Sequence, residues 1–113
     1  MKKLEMIIRP EKLEDLKQAM DKMGIKGMTV STVMGYGKQR GIKEIYRGAE
    51  LTVNLLHKVK VEMVVADAEV EEIIKKVKET VSTGNVGDGK IFVFNVENAI
   101  RIRTGESGET AIG

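Results

Sequence analysis

The sequence contains no cysteine and no tryptophan, and it has only one proline, two tyrosines and two phenylalanines. Without cysteine, disulfides and thiolate sites are excluded, which fits a reducing compartment. So few aromatic side chains make a platform for stacking bases hard to build, and a net charge of +2 is too small to indicate nucleic acid binding. We therefore expect no nucleic acid partner.

Long apolar runs are also missing. The first one, after MKK, is broken by Glu5 and Arg9, so neither a signal peptide nor a membrane span is expected, and the predicted location is cytoplasmic. A chain of 113 residues with 42% apolar content should form a single domain over 1–113. A domain of this size buries about 65% of its unfolded surface, enough for a core.

One pattern occurs twice along the chain. In the first half, residues 4–8 alternate as a strand does, Pro10 suits the first turn of a helix, and Gly24 is placed to end that helix. Residues 28–34 then predict a second strand. The helix has apolar residues at helical spacing, namely Leu13, Leu16, Met20 and Met23.

The second half repeats this order. Residues 59–66 predict a strand, Asp67 is the expected N-cap of the next helix, and residues 91–96 predict the last strand. The buried stripe of this helix is expected to consist of Val70, Ile73, Ile74, Val77 and Val81. An offset of 57 residues places Leu13 on Val70 and Met20 on Val77, so both helices should present the same face.

Two such βαβ units predict an α+β, ferredoxin-like fold: a four-stranded antiparallel sheet with two helices on one face. The other face should be apolar, because either Ile91 and Val93 or Phe92 and Phe94 must point away from the helices. One of Val64 and Val65 would join them. An uncovered apolar face predicts self-association.

Residues 83–90, TGNVGDGK, contain the G-x-x-x-x-G-K half of a Walker A motif, but Ile91 stands where that motif needs a Ser or Thr for Mg²⁺. A P-loop also precedes its helix, whereas this stretch follows one, so a P-loop hydrolase is not predicted. Glycine amides and a terminal lysine can still bind an anion. A plain glycine-rich connection fits the pattern equally well.

About twenty residues between the second and third strands show no sustained period, and a connection this long usually binds something. Its tip should be cationic, with Lys38, Arg40, Lys43 and Arg47 against Glu44. A solvated hairpin extension is the alternative. His57 has no neighbours with metal-site or triad spacing, so a role at the entry of a strand is expected in preference to chemistry.

Near the end of the sequence, IRIRTGESGE places Arg101 and Arg103 on one face of an extended segment. Two parallel guanidinium groups suit a polyphosphate or a carboxylate. Exposed arginines on an edge strand are the commoner alternative.

Together these pieces resemble the P-II nitrogen signal-transduction proteins over essentially the whole chain. The motifs fall in family order and spacing: KKLEMIIRPEKLEDLK, GMTVSTVMGYGKQRG, YRGAE, TGNVGDGKIFV and IRIRTGE. The resemblance implies a homotrimer that is a sensor and not an enzyme. It would bind ATP or ADP between subunits and, with Mg-ATP, 2-oxoglutarate. Its partners would be an ammonium transporter or an enzyme of nitrogen metabolism. It would associate with a membrane only through such a transporter.

The resemblance also divides the domain into a partner-binding loop at about 37–55, a nucleotide loop at about 82–90 and a C-terminal loop at about 102–113. In such proteins the nucleotide loop wraps the phosphates, which the two arginines reach across the subunit boundary. The implied ATP or ADP contacts are Ile7, Thr29, Gly35, Gly37, Lys38, Glu62, Val64, Gly87, Asp88, Gly89, Lys90, Arg101 and Arg103.

For 2-oxoglutarate, the family pattern implies contacts from Gln39, Arg40, Gly41, Lys58 and Gly87. Gln39 would also join the Mg²⁺ ion held by the ATP phosphates and 2-oxoglutarate, and Lys58 would pair with a ligand carboxylate. Such an arrangement is coherent, since a dianionic acid beside a triphosphate needs cations between them. Partner contacts would come from Tyr46, Arg47, Gly48 and Ala49.

Three positions depart from the family pattern. Members controlled by uridylylation or adenylylation have a Tyr where this chain has Leu51, and members controlled by phosphorylation have a Ser at Ala49. No modification is therefore expected at Leu51, and control by ligands alone is predicted, although Tyr46 could be modified by an unfamiliar enzyme. Lys38 stands where many members have Arg. This keeps the positive charge but loses the bidentate hydrogen bonding of a guanidinium group.

Two other functions compete with this one. A small ferredoxin-like enzyme for ATP hydrolysis or phosphoryl transfer would need a general base and a Walker B strand, and the sequence offers neither. An RNA-binding module is disfavoured because the last strand has only Phe92 and Phe94 and the basic excess is slight.

Overall fold

The computed structural model describes residues 1–36, 43–46, 49–52 and 55–113, the two short middle ranges by their backbone. Four strands form one antiparallel sheet in the order β2-β5-β1-β6, and β3 and β4 pair separately within the long insertion. The ferredoxin-like prediction is confirmed. The elements are β1 (Lys2–Ile8), α1 (Leu13–Lys22), β2 (Thr29–Gly35), β3 (Lys43–Tyr46), β4 (Ala49–Thr52), β5 (Leu56–Val65), α2 (Val70–Val81) and β6 (Lys90–Asn95).

The internal repeat extends to the starts of the helices. A single 3-10 turn precedes each helix, Pro10–Lys12 before α1 and Asp67–Glu69 before α2. Pro10 occupies the first turn, as predicted, where its missing N–H costs no hydrogen bond.

The expectation that Asp67 caps α2 is wrong. Because the 3-10 turn intervenes, Asp67 lies within the first turn, and its side chain caps no backbone amide. Its carboxylate instead contacts the amino group of Met1 at 2.9 Å. That hydrogen bond and the positive charge of the amino group lower the pKa of Asp67.

Gly24 ends α1 as predicted, in a Schellman motif. Its φ of +80° is a conformation that suits glycine. The Gly24 amide donates to the Asp21 carbonyl at 3.0 Å, and the Ile25 amide donates to the Met20 carbonyl at 3.0 Å. The chain thus turns sharply, and Ile25 packs against the core.

The core lies between the sheet and the two helices. Every second residue of β1 and β5 is buried, and so is one stripe of each helix, which is the pattern expected of a sheet covered on one face. Burial of such side chains contributes about 1.5–3 kcal/mol each. The buried set is Leu4, Met6, Ile8, Leu16, Ala19, Met20, Val59, Val61, Met63, Val65, Ile73, Val77 and Val81.

Strand register decides which residues of β6 point away from the helices. Phe92 lies opposite Glu5 and Phe94 opposite Lys3, whereas Ile91 lies opposite the buried Met6. The two phenylalanines are therefore on the helix-free face, 44% and 43% exposed.

The middle of the helix-free face is charged, so the expected apolar face is only partly apolar. Lys3 lies 3.4 Å from Glu62, and Lys60 lies 3.6 Å from Glu62 and 4.0 Å from Glu5. The Lys3 ammonium also lies over the ring of Phe94, 4.8 Å from its centroid. Two lysines and two glutamates balance one another, and the phenylalanines adjoin them.

Among the described residues, no helix is long enough and apolar enough to cross a bilayer.

Candidate functional site

The glycine-rich segment forms the connection between the end of α2 and the start of β6. Gly84, Gly87 and Gly89 have φ values of +84°, +99° and +105°, which side chains with a Cβ rarely adopt. The order helix, loop, strand is as predicted. We call residues 82–89 the glycine loop.

The base of the glycine loop packs directly on β1. A Cβ on Gly89 would lie 1.7 Å from the carbonyl oxygen of Ile7, so only glycine allows this approach. Ile7 also pairs with Lys90, the residue that follows Gly89 and begins β6. Three of the predicted nucleotide contacts are thus brought together.

Asp88 organises the first half of the loop. One carboxylate oxygen accepts hydrogen bonds from the amides of Thr83 at 2.8 Å and Gly84 at 2.9 Å, and from the Ser82 hydroxyl at 3.4 Å. The other accepts from the Thr83 hydroxyl and, at 3.1 Å, from Nε of Arg9. The Thr83 hydroxyl, followed by the Thr83 amide, Arg9 and the Gly84 amide, holds the pKa of Asp88 well below its usual range.

Two cations of the sheet bind the second half of the loop. Arg9, just after β1, donates from Nη2 to the Val86 carbonyl at 2.8 Å. Lys58 of β5 donates from Nζ to the Gly87 carbonyl at 2.8 Å. Lys58 is only 8% exposed, and its burial, followed by the charge of Arg9, lowers its pKa.

Lys58 also adjoins the root of the long insertion. It pairs with Val33 of β2, and two residues further Gly35 pairs with Leu56, the last pair before the insertion. A Cβ on Gly35 would lie 3.2 Å from Cγ of Lys58, so this glycine leaves room for the lysine stem. Gly35 and Lys58 therefore join the glycine loop at one end of the sheet.

The remaining sheet residues of the predicted site lie farther along β2 and β5. Thr29 pairs with Glu62, whose carboxylate belongs to the charged group on the helix-free face. Val64 lines a cavity of about 500 Å³ between residues 24–27, which follow α1, the end of β5 and residues 109–113.

Arg101 and Arg103 do not lie on an extended segment or an edge strand, so that expectation is wrong. Residues 102–104 form a turn, closed by a 2.8 Å hydrogen bond from the Gly105 amide to the Arg101 carbonyl. Within this chain the Arg101 guanidinium donates to the carbonyls of Thr110 at 3.1 Å and Gly113 at 2.8 Å. No hydrogen bond or ion pair joins either arginine to the glycine loop in the part of the chain that the structure describes.

Several predicted residues either have side chains that are not described or lie outside the described part of the chain. Tyr46 and Ala49, with Leu51, are in the backbone of β3 and β4, and their side chains are not described. The others are Gly37, Lys38, Gln39, Arg40, Gly41, Arg47 and Gly48. In the described residues no three acidic, His or Cys side chains cluster as metal ligands would.

Arg9 is a site residue that the sequence analysis missed. Its place at the end of β1 was a usable signal. Because β1 and β6 are antiparallel, the end of β1 lies beside the start of β6, which directly follows the glycine loop. Arg9 thus reaches a residue 79 positions away in sequence.

Comparison with known proteins gives consistent matches. The family model described as "Nitrogen regulatory protein P-II" matches residues 1–106. The chain is 54% identical over 112 residues to proteins of that name from Pasteurella multocida and Haemophilus influenzae, and 53% identical to one from Rhizobium meliloti. Each alignment covers 99% of this chain and the whole of the relative.

Proposed function

This chain belongs to the nitrogen regulatory protein P-II family of signalling proteins, and we propose that it senses adenine nucleotides and 2-oxoglutarate. It binds ATP or ADP at the glycine loop and, with Mg-ATP, 2-oxoglutarate beside it. It regulates an ammonium transporter or an enzyme of nitrogen assimilation through residues 37–55. It acts in the cytoplasm as a homotrimer and not as an enzyme.

The observation that carries the proposal is the meeting of the glycine loop with cations from separate strands. Arg9, just after β1, and Lys58 of β5 bind carbonyls of the loop, and Lys90 begins β6 directly after it. Three glycines of the loop have positive φ values that other residues rarely adopt. Backbone amides in such a loop, next to positive charge, suit phosphate oxygens. Arg101 and Arg103, which share no hydrogen bond or ion pair with this loop among the described residues, would approach it from a neighbouring subunit.

Signal transmission would be local. The long insertion leaves the sheet after Gly35 and returns before Leu56, and these two residues pair with each other. Lys58 lies only two residues beyond Leu56 in β5. A ligand that engages Lys58 and Gln39 therefore acts on the root of the insertion. Occupancy would bias which arrangement the insertion adopts, and partners would recognise that arrangement.

Self-association is supported by the helix-free face. Phe92 and Phe94 are nearly half exposed there, and the adjoining charges compensate one another within the chain. Covering this face would bury aromatic area without leaving an unpaired charge.

An ATP-hydrolysing or phosphoryl-transfer enzyme is less well supported. Asp88 is the one carboxylate of the glycine loop, and its oxygens are occupied by Thr83, Gly84, Ser82 and Arg9. Its lowered pKa makes it a poor general base.

Calorimetric titration of 2-oxoglutarate tests the proposal in three solutions: with Mg-ATP, with ADP and without nucleotide. Binding heat only with Mg-ATP is the expected result. Equal signals in all three would remove the assignment of Gln39 and Lys58, and absence of nucleotide binding by the trimer would remove the proposal itself.

A further inference from the structure

Three consecutive residues of the glycine loop are each bound by Arg9, just after β1, or by Lys58 of β5. Arg9 binds the Val86 carbonyl at 2.8 Å and the Asp88 carboxylate at 3.1 Å, and Lys58 binds the Gly87 carbonyl between them at 2.8 Å. Both cations are largely buried, with side-chain exposure of 14% for Arg9 and residue exposure of 8% for Lys58. The two carbonyls are therefore fixed toward the sheet.

Because the peptide group is planar, the direction of a carbonyl also fixes the direction of the N–H of the next residue. In a trans peptide the C=O of one residue and the N–H of the next point in opposite directions. Because the carbonyls of Val86 and Gly87 face Arg9 and Lys58, the amides of Gly87 and Asp88 face away from these cations. Neither amide donates a hydrogen bond within residues 1–36 and 55–113. Successive amides with this orientation form an anion-binding concavity.

Asp88 fixes the opposite side of the same loop. Its carboxylate accepts from the amides of Thr83 and Gly84, which closes the backbone between Thr83 and Asp88 into a ring. Arg9 offsets its charge, so the carboxylate stands in a phosphate-binding loop beside a paired cation.

We propose that Arg9, Lys58 and Asp88 are positioning residues that aim the amides of Gly87 and Asp88 at a phosphate group. This inference rests on the proposed nucleotide function and deepens it, by assigning Asp88 the role of shaping the loop. For Lys58 this role adds to the carboxylate contact that family membership suggests. Simple electrostatics would give Asp88 the opposite effect, because a carboxylate repels phosphate.

The two roles of Asp88 predict opposite changes in ATP affinity, so Asp88→Asn distinguishes between them. If Asp88 positions the loop, the amide side chain loses hydrogen bonds to a charged acceptor, and ATP should bind at least about tenfold more weakly. If Asp88 only repels phosphate, the variant should bind ATP more tightly. Asp67→Asn is the matched control, because it removes the same charge beside Met1 and should leave ATP affinity unchanged.

A second comparison distinguishes positioning from general loss of structure. Asp88→Asn and Arg9→Met should weaken the binding of ATP and of inorganic tripolyphosphate together. Adenosine binding should be unchanged, as followed by NMR at Val64, because the family resemblance implies that Val64 lies on the adenine and ribose side of the site. Arg9→Lys keeps one donor and should recover part of the affinity. If ATP and adenosine weaken equally, or if Asp88→Asn binds ATP as tightly as the wild type, the inference is overturned.

Amide exchange tests the inference without nucleotide. In the ligand-free protein the Thr83 and Gly84 amides should exchange at least about tenfold faster in Asp88→Asn than in Asp67→Asn, because they lose their carboxylate acceptor. Unchanged exchange would contradict the positioning role. A wild type that binds no nucleotide but shows this exchange difference would contradict only the proposed function.

Discussion

Gly89 lies against the backbone of Ile7 so closely that a Cβ at position 89 would stand 1.7 Å from the Ile7 carbonyl oxygen. Ile7 is in β1 and Gly89 immediately precedes β6, so this contact fixes the glycine loop to the sheet. No flexible side chain can move aside to relieve such a clash, since the opposing atom belongs to paired backbone.

Gly89→Ala should therefore destabilise the protein by at least about 3 kcal/mol, because backbone strain and a main-chain clash act together. Gly84→Ala is the control. Its φ of +84° is also unfavourable for alanine, but nothing lies within 4 Å of the added Cβ, so we expect only about 1–2 kcal/mol. Chemical denaturation measures both, and equal losses would show that the Ile7 contact does not matter.

The glycine loop should also respond to acid. The pKa of Asp88 is lowered in the folded state, so its contribution to stability is complete above the unfolded value of about 3.9 and is lost as the pH falls below it. Asp88→Asn should be less stable than the wild type at pH 7, and the difference should narrow below about pH 4. Urea unfolding at a series of pH values measures this; a constant difference would contradict it.

Phe92→Ala should weaken self-association, because Phe92 is an exposed aromatic residue on the helix-free face. Loss of its burial between subunits should raise the concentration at which the oligomer dissociates by at least about tenfold. Val30→Ala is the control, since Val30 is 42% exposed but pairs with the buried Val61 and so belongs to the other face. Analytical ultracentrifugation gives the answer, and equal effects of the two changes would place the interface elsewhere.

Arg47→Ala should abolish docking to an ammonium channel and leave ATP affinity unchanged, if residues 37–55 carry the partner contacts. Lys43→Ala removes the same charge from the same insertion and should retain docking. Pull-down on channel-containing membranes, with parallel nucleotide titration, tests this. Loss of docking in both variants would indicate a general need for positive charge and not a specific contact of Arg47.

No uridylyl or adenylyl group should be attached at position 51, because Leu51 has no hydroxyl. Incubation with a uridylyltransferase that acts on other family members should leave the wild type unlabelled, and Leu51→Tyr should accept the label. Tyr46→Phe controls for an unusual acceptor: label on the wild type that disappears in this variant would overturn the prediction of control by ligands alone.

Features that repeat along the chain, or that depend on neighbouring residues, could be predicted from the amino-acid order alone. Helical spacing identified the buried faces of α1 and α2, the 57-residue offset made the two halves equivalent, and Gly24 ended α1 as expected. The order of α2, glycine loop and β6 could also be predicted, because each depends on neighbouring residues.

Contacts between residues that are distant in sequence became known only from the folded chain. Strand register placed Phe92 and Phe94 on the helix-free face. Pairing of β1 with β6 brought Arg9 to Asp88, 79 positions away in sequence. Asp67 was misassigned because a 3-10 turn moved the start of α2, and the arginines near the end were misassigned because a turn replaced the expected strand. Periodicity along a chain records which side of an element is apolar, but it holds no information on which strands become neighbours or in what register they pair.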